Sequence, residues 1–166
     1  MALGESAQRS TAIARSRPLT WPWERLALGG ILLFAAALCL FRLDQNGYGN
    51  EYYAATVRSM LTSGANFFFA SFDPGGFVSV DKPPLAFWIQ AASARLLGFG
   101  GLSLILPQAL AGVASVALVY ALVRRTFGAL AGLIAALALA ITPISVAMSR
   151  ENHPDGLLVL TLLLAA

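Results

Sequence analysis

The sequence predicts an all-α integral membrane fold with several membrane-spanning helices. Hydrophobic residues make up 58% of the chain and charged residues only 11%, and the mean hydropathy is +0.73. A soluble domain contains about 45–50% apolar and about 25% charged residues. A soluble fold of this length cannot hide so much apolar surface, so lipid is the expected solvent.

Long stretches with few or no charges predict the spans. Three complete spans are expected at about 26–43, 102–123 and 127–149, followed by a short apolar stretch at 156–166. A helix rises about 1.5 Å per residue, so about 20 residues reach across a hydrocarbon core of about 30 Å. Because the last stretch is too short to cross, we expect a truncated fourth span and interpret the chain as an N-terminal fragment.

The first span follows a basic segment, residues 1–25, that we interpret as a disordered cytoplasmic tail. Its arginines are Arg9, Arg15, Arg17 and Arg25. A signal peptide would also begin with basic residues, but Arg42 and Asp44 follow this apolar run where a small-residue cleavage site would be needed. The stretch is therefore predicted to be an uncleaved span.

The arginines also predict the orientation. Arg124 and Arg125 are expected in a tight turn between the second and third spans, which alternation places on the same side as the tail. Cytoplasmic loops carry the excess of Lys and Arg. We therefore expect a multi-pass protein with a cytoplasmic N-terminus and a large outer loop, residues 44–101.

The outer loop is predicted to contain two juxtamembrane helices. The first covers Glu51 to Thr62, with an apolar stripe formed by Tyr52, Ala55, Val57, Met60 and Leu61. A phenylalanine-rich segment, broken at residues 73–76, is expected to dip into the membrane interface. The second helix, Leu85 to Ala94, begins after two prolines and is expected to lie along the outer membrane surface, with Trp88 as its anchor.

The same sequence argues against a nucleic-acid partner and against a cysteine-based site. The basic residues lie at span ends and do not form a patch with interleaved aromatics, so we expect no nucleic-acid partner. Cys39 is the only cysteine of the chain. A disulfide or a cysteine metal site within the chain is therefore not expected.

Several segments resemble the N-terminal part of bacterial membrane glycosyltransferases related to protein O-mannosyltransferases and to the lipid A aminoarabinose transferase. The matching segments are GNEYYAATVRSM, DPGGFVSVDKPPLAFWIQAASARLLGFGGLSLILPQALAG, VRRTFGALAGL and SRENHPDGLL. The resemblance implies a multi-span GT-C fold in the bacterial cytoplasmic membrane. It also implies a polyprenyl-phosphate sugar donor and an acceptor glycan, lipid or protein on the outer face.

Sugar transfer from a lipid phosphate needs a carboxylate near the acceptor, positive charge or a metal near the phosphate, and apolar surface for the lipid tail. Ionisable groups at a membrane boundary are costly and mark functional sites. Glu51, Asp81, Lys82 and Asp155 form such a group in the predicted topology.

Glu51 is expected to be a catalytic carboxylate. The alternative is an acidic residue placed favourably at the N-terminal end of a helix dipole. The resemblance implies an Asp-Glu pair at this point, whereas the chain has Asn50-Glu51. Since Asn50 cannot act as a base, the role passes to Glu51 or to another carboxylate.

Lys82 is expected to bind the donor phosphate as a point charge, held beside two prolines. Asp81 is a candidate ligand for a divalent metal ion, although the aminoarabinose-type relatives have Glu at this position. The alternative for both residues is a polar turn at the membrane surface.

Asp155 is the second expected catalytic carboxylate. It can also serve as the N-cap of the fourth helix, and both roles can hold together. His153 is interpreted as a solvated turn residue rather than a metal ligand. Arg58 either packs along the loop helix or reaches a phosphate.

Two other function classes stay open at this stage. A transporter-like subunit would carry paired charges within its spans, but the predicted spans are uncharged apart from Arg42. A non-catalytic scaffold, or an inactive fragment, would keep the membrane helices without the chemistry.

Overall fold

The computed structural model describes residues 22–166, so the predicted tail, residues 1–25, lies almost entirely outside them. The described chain folds into α-helices with one short 3-10 helix at Leu43–Asn46. The α-helices are α1 (Pro22–Leu40), α2 (Glu51–Met60), α3 (Gly64–Phe69), α4 (Leu85–Leu97), α5 (Gly101–Phe127), α6 (Ala129–Ile141), α7 (Pro143–Ser149) and α8 (Asp155–Ala165).

The predicted all-α membrane fold is confirmed. Helix α1 with its 3-10 extension, Pro22–Asn46, and helix α5 are each long and apolar enough to cross a membrane. Helices α6 and α7 together pass the same test as one broken span, bent by 63°. The described residues thus contain two span candidates, or three if the bent pair counts as one.

The predicted third span, about 127–149, is not one continuous helix in the structure. The break falls at Thr142, whose backbone is extended (φ −66°, ψ 116°), directly before Pro143 at the start of α7. Proline lacks an N–H donor and pushes the preceding residue out of the helical region. The local sequence therefore explains the bend.

The predicted arginine turn was also wrong. Arg124 and Arg125 lie in the last turn of α5 rather than in a loop. The turn itself is made by Gly128, which adopts a positive φ of 85°. Basic residues in the last turn interact favourably with the helix dipole, so the helix continues through both of them.

Helix α5 is the centre of the packing and contacts α1, α4, α6 and α8. Small residues line its interface with α1 and α6, where Ala35, Ala136 and Ala140 are buried beside Val116 and Tyr120. Small side chains allow helix backbones to approach closely in a membrane. Large apolar side chains such as those of Leu26, Leu33 and Leu130 are exposed on the outside of this bundle.

The outer loop folds around its own apolar core. Val57, Met60 and Phe87 are completely buried in it. Helix α2 begins at Glu51 as predicted, and Val57 and Met60 of its predicted apolar stripe are buried, but Tyr52 is exposed and Tyr53 is buried in its place. Two adjacent tyrosines give the sequence no basis for choosing the inward one, and packing against α4 makes the choice.

The phenylalanine-rich segment contains α3 and then a short hairpin. Phe72 N–H bonds to the Val78 carbonyl at 2.8 Å, and Phe77 at the hairpin tip is 90% exposed. Its insertion into the interface stays a prediction. Trp88 was expected to anchor in the interface, but its indole N–H donates to the Phe67 carbonyl at 2.8 Å and so ties α4 to α3.

Helix α4 covers the predicted surface helix and extends it to Leu97. One face of α4 is buried against α2 and α5, with Phe87 and Gln90 fully inaccessible. The helix is therefore a packed part of the outer-loop fold, in addition to any contact with the membrane surface.

Candidate functional site

The chain between α7 and α8, residues 150–154, packs against the end of α1 and the start of α2. The guanidinium of Arg150 donates through Nη1 to the carbonyls of Leu38 and Phe41, both at 2.8 Å. Asn46 Nδ2 in turn donates to the Arg150 carbonyl at 2.8 Å. Arg150 thereby satisfies carbonyls that the end of α1 leaves without helical partners.

A pair of asparagines joins the same two segments a little further on. The Asn50 backbone N–H donates to Asn152 Oδ1 at 2.7 Å, and Asn152 Nδ2 donates to the Asn50 carbonyl at 3.0 Å. Asn50 directly precedes Glu51, and Asn152 precedes Asp155 by one short turn. The structure therefore brings together the two chain segments that carry the predicted catalytic carboxylates.

Glu51 is the first residue of α2 and is exposed. The helix is capped by Asn50, whose Oδ1 accepts from the backbone N–H groups of Tyr52 and Tyr53 at 3.0 and 3.3 Å. Since an amide makes the cap, the Glu51 carboxylate is not needed for it. Glu51 borders a cavity of about 290 Å³.

Arg58 borders the same cavity as Glu51. Its guanidinium lies over the ring of Phe99, 5.6 Å from the ring centroid. Neither predicted alternative, packing along the loop helix or reaching a phosphate, includes this stacking, and both stay predictions. The charged end remains exposed at the edge of the cavity.

Asp155 is the first residue of α8, and it makes no side-chain cap hydrogen bond; the residue before the helix is Pro154. The predicted N-cap role was therefore wrong. Proline is favoured at helix starts because its ring fixes φ and its missing N–H is not needed there. The half-buried Asp155 carboxylate is left available for another contact.

Lys82 and Asp155 border one cavity of about 270 Å³, between the segment before α4 and the start of α8. Pro83 and Pro154 line it as well, so rigid backbone precedes both helices. Within residues 22–166, Lys82 forms no ion pair closer than 4.0 Å. Its exposed ammonium group is available to an anion.

Asp155 also borders a second cavity, of about 210 Å³, that lies among α1, α5, α6, α7 and α8. Small and apolar residues line it, including Ala35, Gly112 and Val159. The bend between α6 and α7 contributes Leu139, Ala140 and Ile144 to the same wall. Asp155 thus lies between a cavity that contains a lysine and an apolar cavity within the helix bundle.

Tyr53 is a site residue that the sequence analysis missed. Its ring packs against Phe87 with centroids 5.4 Å apart and against the edge of His153 at 5.0 Å. Burial, followed by the negative charges of Asp81 and Asp155, raises the pKa of the Tyr53 phenol above its ordinary value. The negative charges of both carboxylates therefore favour the neutral form of the phenol, although Asp81 itself is exposed.

His153 was interpreted as a solvated turn residue, and this interpretation was wrong. The ring is half-buried against Tyr53, and its Nε2 lies 3.4 Å from Asn50 Nδ2. The same nitrogen is 3.7 Å from the carboxylate of Glu151. Residues 150–155 have no periodic pattern, so this packing could not be predicted from them.

A metal site does not assemble from the predicted ligands. No three His, Cys, Asp or Glu side chains come together among residues 22–166 in a way that could hold a metal ion. Asp81 and Asp155 are not part of any such group. Within residues 22–166 these side chains therefore do not form a metal site by themselves, and Asp81 as a metal ligand stays a prediction.

The profile of the family described as "Dolichyl-phosphate-mannose-protein mannosyltransferase" matches residues 81–166. The matched segment begins at Asp81 and contains Lys82 and Asp155, whereas Glu51 and Arg58 lie before it. No solved structure matches the chain significantly.

Curated relatives are similar over most of the chain. "Putative mannosyltransferase YycA" of Bacillus subtilis (strain 168) is 54% identical over 136 residues, which is 82% of this chain and 20% of the relative. "Putative mannosyltransferase YkcB" of the same organism is 52% identical over 135 residues, 81% of this chain and 19% of the relative. An "Uncharacterized protein" of Aquifex aeolicus (strain VF5) is 29% identical over 129 residues, or 75% of this chain and 25% of the relative. The chain thus spans about a fifth to a quarter of these relatives.

Proposed function

Because this chain belongs to the dolichyl-phosphate-mannose-protein mannosyltransferase family, we propose that the protein containing it is a multi-pass glycosyltransferase of the bacterial cytoplasmic membrane. In this proposal the donor is a sugar linked to polyprenyl phosphate. The acceptor is a glycan, lipid or protein on the outer face of the membrane. The printed names of the relatives make mannose the first sugar to test.

One observation supports a lipid-linked donor above all others: Asp155 borders both a cavity containing Lys82 and an apolar cavity within the helix bundle. A polyprenyl phosphate matches these two cavities, because it consists of an anionic headgroup and a long apolar chain. The phosphate would lie beside Lys82, and the first part of the polyprenyl chain would lie among the bundle helices. The sugar would then be held at the boundary, next to Asp155.

The chemistry follows from this placement. The acceptor hydroxyl attacks the anomeric carbon of the sugar, the bond from that carbon to the phosphate oxygen breaks, and polyprenyl phosphate leaves with the electron pair. A carboxylate takes the proton of the hydroxyl as general base. The cavity bordered by Lys82 and Asp155 is called the donor cavity here. Asp155 is assigned the role of general base, and Glu51 is the second carboxylate, at the acceptor side.

Positive charge is needed where the leaving phosphate develops negative charge. Lys82 supplies it directly in the donor cavity. Arg58 is assigned to a negatively charged group that enters the neighbouring cavity beside Glu51, because its guanidinium is held over Phe99 there. Asp81 precedes Lys82 in the chain, and this position supports assigning it to the same headgroup.

The proposal is tested with the complete protein in liposomes supplied with polyprenyl-phosphate mannose. Release of polyprenyl phosphate and labelling of acceptor are measured, with a nucleotide-linked mannose as the competing donor. The matched control for Asp155→Asn is Asp44→Asn, because Asp44 is an exposed acid that borders neither cavity. Transfer that depends on Asp155 and not on Asp44 supports the proposal. Absence of transfer from any polyprenyl-phosphate sugar would favour the scaffold or transporter-like alternatives.

A further inference from the structure

Asn152 is completely buried although its side chain is polar. Its amide makes the two hydrogen bonds to the backbone of Asn50 described above, one as acceptor and one as donor. Its own carbonyl accepts from Gln90 Nε2 of α4 at 2.8 Å. A single buried residue therefore joins the start of α2, the middle of α4 and the chain that leads into α8.

Gly49 makes room for this contact. A Cβ atom on Gly49 would lie 2.8 Å from Asn152 Oδ1 and 3.2 Å from Asn152 N. Gly47, two residues earlier, also has a positive φ, +60° against +69° for Gly49, but a Cβ there would meet no atom within 4 Å. Both glycines thus have a positive φ, which disfavours alanine at either position, and they differ in their contact with Asn152.

We propose that Asn152 is a positioning residue for sugar transfer: its amide holds the first residues of α2 and α8, Glu51 and Asp155, at a fixed separation. The inference rests on the proposed function, because it assigns Asn152 to the same reaction. Glu51 directly follows Asn50, whose backbone is hydrogen-bonded to the Asn152 side chain. Asp155 is the first residue of α8 and follows Asn152 by three residues. Each carboxylate borders its own cavity, so the bonded asparagines set how the two cavities face each other.

The chemistry of the contact requires a primary amide. The Asn50 N–H needs an acceptor and its carbonyl needs a donor, and asparagine supplies both from one short side chain. Aspartate in its place could accept but not donate, and its charge would be buried beside a carbonyl. Leucine has a similar shape and could do neither. Catalytic groups displaced by about 1 Å can lose on the order of 100-fold in rate.

The test compares Gly49→Ala with Gly47→Ala in the complete protein, in the transfer assay with polyprenyl-phosphate mannose. We expect Gly49→Ala to lower kcat by about tenfold or more while the donor KM changes by less than about threefold, because the donor cavity keeps its own lining. Gly47→Ala also places alanine at a positive φ, but its Cβ meets no atom within 4 Å, so it should stay within about twofold of wild type in kcat. Equal losses in the two variants would overturn the proposal.

A double variant separates the contact from general damage to the fold. Asn152→Ala removes the side chain that a Cβ on Gly49 would strike, so Gly49→Ala should cost little more in an Asn152→Ala background. Residues in direct contact show such non-additive effects. Fully multiplicative losses of kcat would contradict a direct role of this contact.

A structural measurement keeps the inference testable even if the proposed function fails. Spin labels are placed on Ala55 of α2 and Leu162 of α8, which are both exposed, and the distance distribution between them is measured in liposomes. We expect a narrow distribution in wild type and Gly47→Ala and a broadened or shifted one in Gly49→Ala and Asn152→Asp. Unchanged distances in the latter two variants would overturn the positioning role. Absence of transfer by wild type with the expected distance changes would overturn the proposed function alone.

Discussion

Glu24 and Arg124 form a two-point ion pair between the first turn of α1 and the last turn of α5. The Arg124 Nε lies 2.8 Å from Glu24 Oε1, and its Nη2 donates to Oε2 at 3.2 Å. The hydroxyl of Tyr120 donates to Oε1 as well, at 3.0 Å. The contact places the beginning of α1 and the end of α5 at the same end of the bundle, as alternating spans require.

The first prediction concerns the stability of this contact. Glu24 is buried, so Arg124→Gln leaves a buried carboxylate without its partner. Loss of one partner of a buried pair costs about 3–5 kcal/mol, and the partial exposure of Arg124, 23% of its side chain, reduces our expectation to about 2 kcal/mol. Thermal unfolding in detergent measures the loss. The neighbouring exposed Arg125→Gln should change stability by less than about 0.5 kcal/mol, and equal losses would contradict a specific ion pair.

The second prediction concerns Lys82. In the complete protein, Lys82→Ala should lower kcat/KM for the polyprenyl-phosphate donor by about 10- to 100-fold, because it removes the charge expected at the phosphate. Lys82→Arg keeps the charge and should lose much less. Arg95→Ala is the control, since Arg95 is an exposed cation of α4 that does not border the donor cavity. Full activity of the alanine variant would remove Lys82 from the site.

The third prediction concerns Glu51 and Asp155. If both serve one transfer step, Glu51→Gln and Asp155→Asn should each cut turnover by about 100-fold while membrane insertion stays intact. The double variant should then lose much less than the product of the two single losses, because members of one catalytic unit are non-additive. Turnover is normalised to inserted protein. Since the two carboxylates border different cavities, strictly multiplicative losses would show that they act in separate steps.

The fourth prediction concerns the orientation in the membrane. A reporter fused after Arg125 should be cytoplasmic, and one fused near Gly75 should lie outside, because the basic residues are expected on the inner face. Paired reporters, one active only inside and one only outside, measure both positions. A cytoplasmic signal at Gly75 would invert the proposed topology and place the candidate site on the wrong face.

The fifth prediction concerns Asp73 at the hairpin of the outer loop. The Val78 N–H, which donates to Asp73 Oδ2 at 2.9 Å, is the main cause that lowers the pKa of Asp73 below its ordinary value; the Phe77 and Gly75 N–H groups add to it. A carboxyl whose pKa is lowered by folding stabilises the folded loop above its unfolded-state pKa. That contribution is lost as the pH falls through the folded-state pKa.

Hydrogen exchange of the Val78 amide measures this effect. After correction for the intrinsic exchange rate, the Val78 amide should be fully protected at neutral pH. Its protection should decrease when the pH is lowered below the ordinary pKa of an aspartate side chain. The Val80 amide, which donates to the Ala70 carbonyl, is the internal control and should stay protected. An Asp73→Asn variant that keeps the pH dependence of Val78 would rule out this carboxylate as its source.

The sequence by itself determined the class of the protein and the approximate position of its long apolar helices. Apolar stretches without charges fixed the spans because crossing a hydrocarbon core depends on the summed hydropathy of consecutive residues. The starts of α2 and α4 could also be predicted from neighbouring residues, because capping and proline preferences act within one helical turn. The family resemblance also belonged to the sequence, because it lay in short continuous segments.

Only the tertiary structure decided which side chains meet. It buried Tyr53 in place of Tyr52, divided the candidate residues between the cavity of Glu51 with Arg58 and that of Lys82 with Asp155, and made Asn152 a buried partner of Asn50. These outcomes depend on how each helix is rotated and how closely it packs. Residues about a hundred positions apart carry no local signal for such a contact, since it arises only when the surrounding helices pack together.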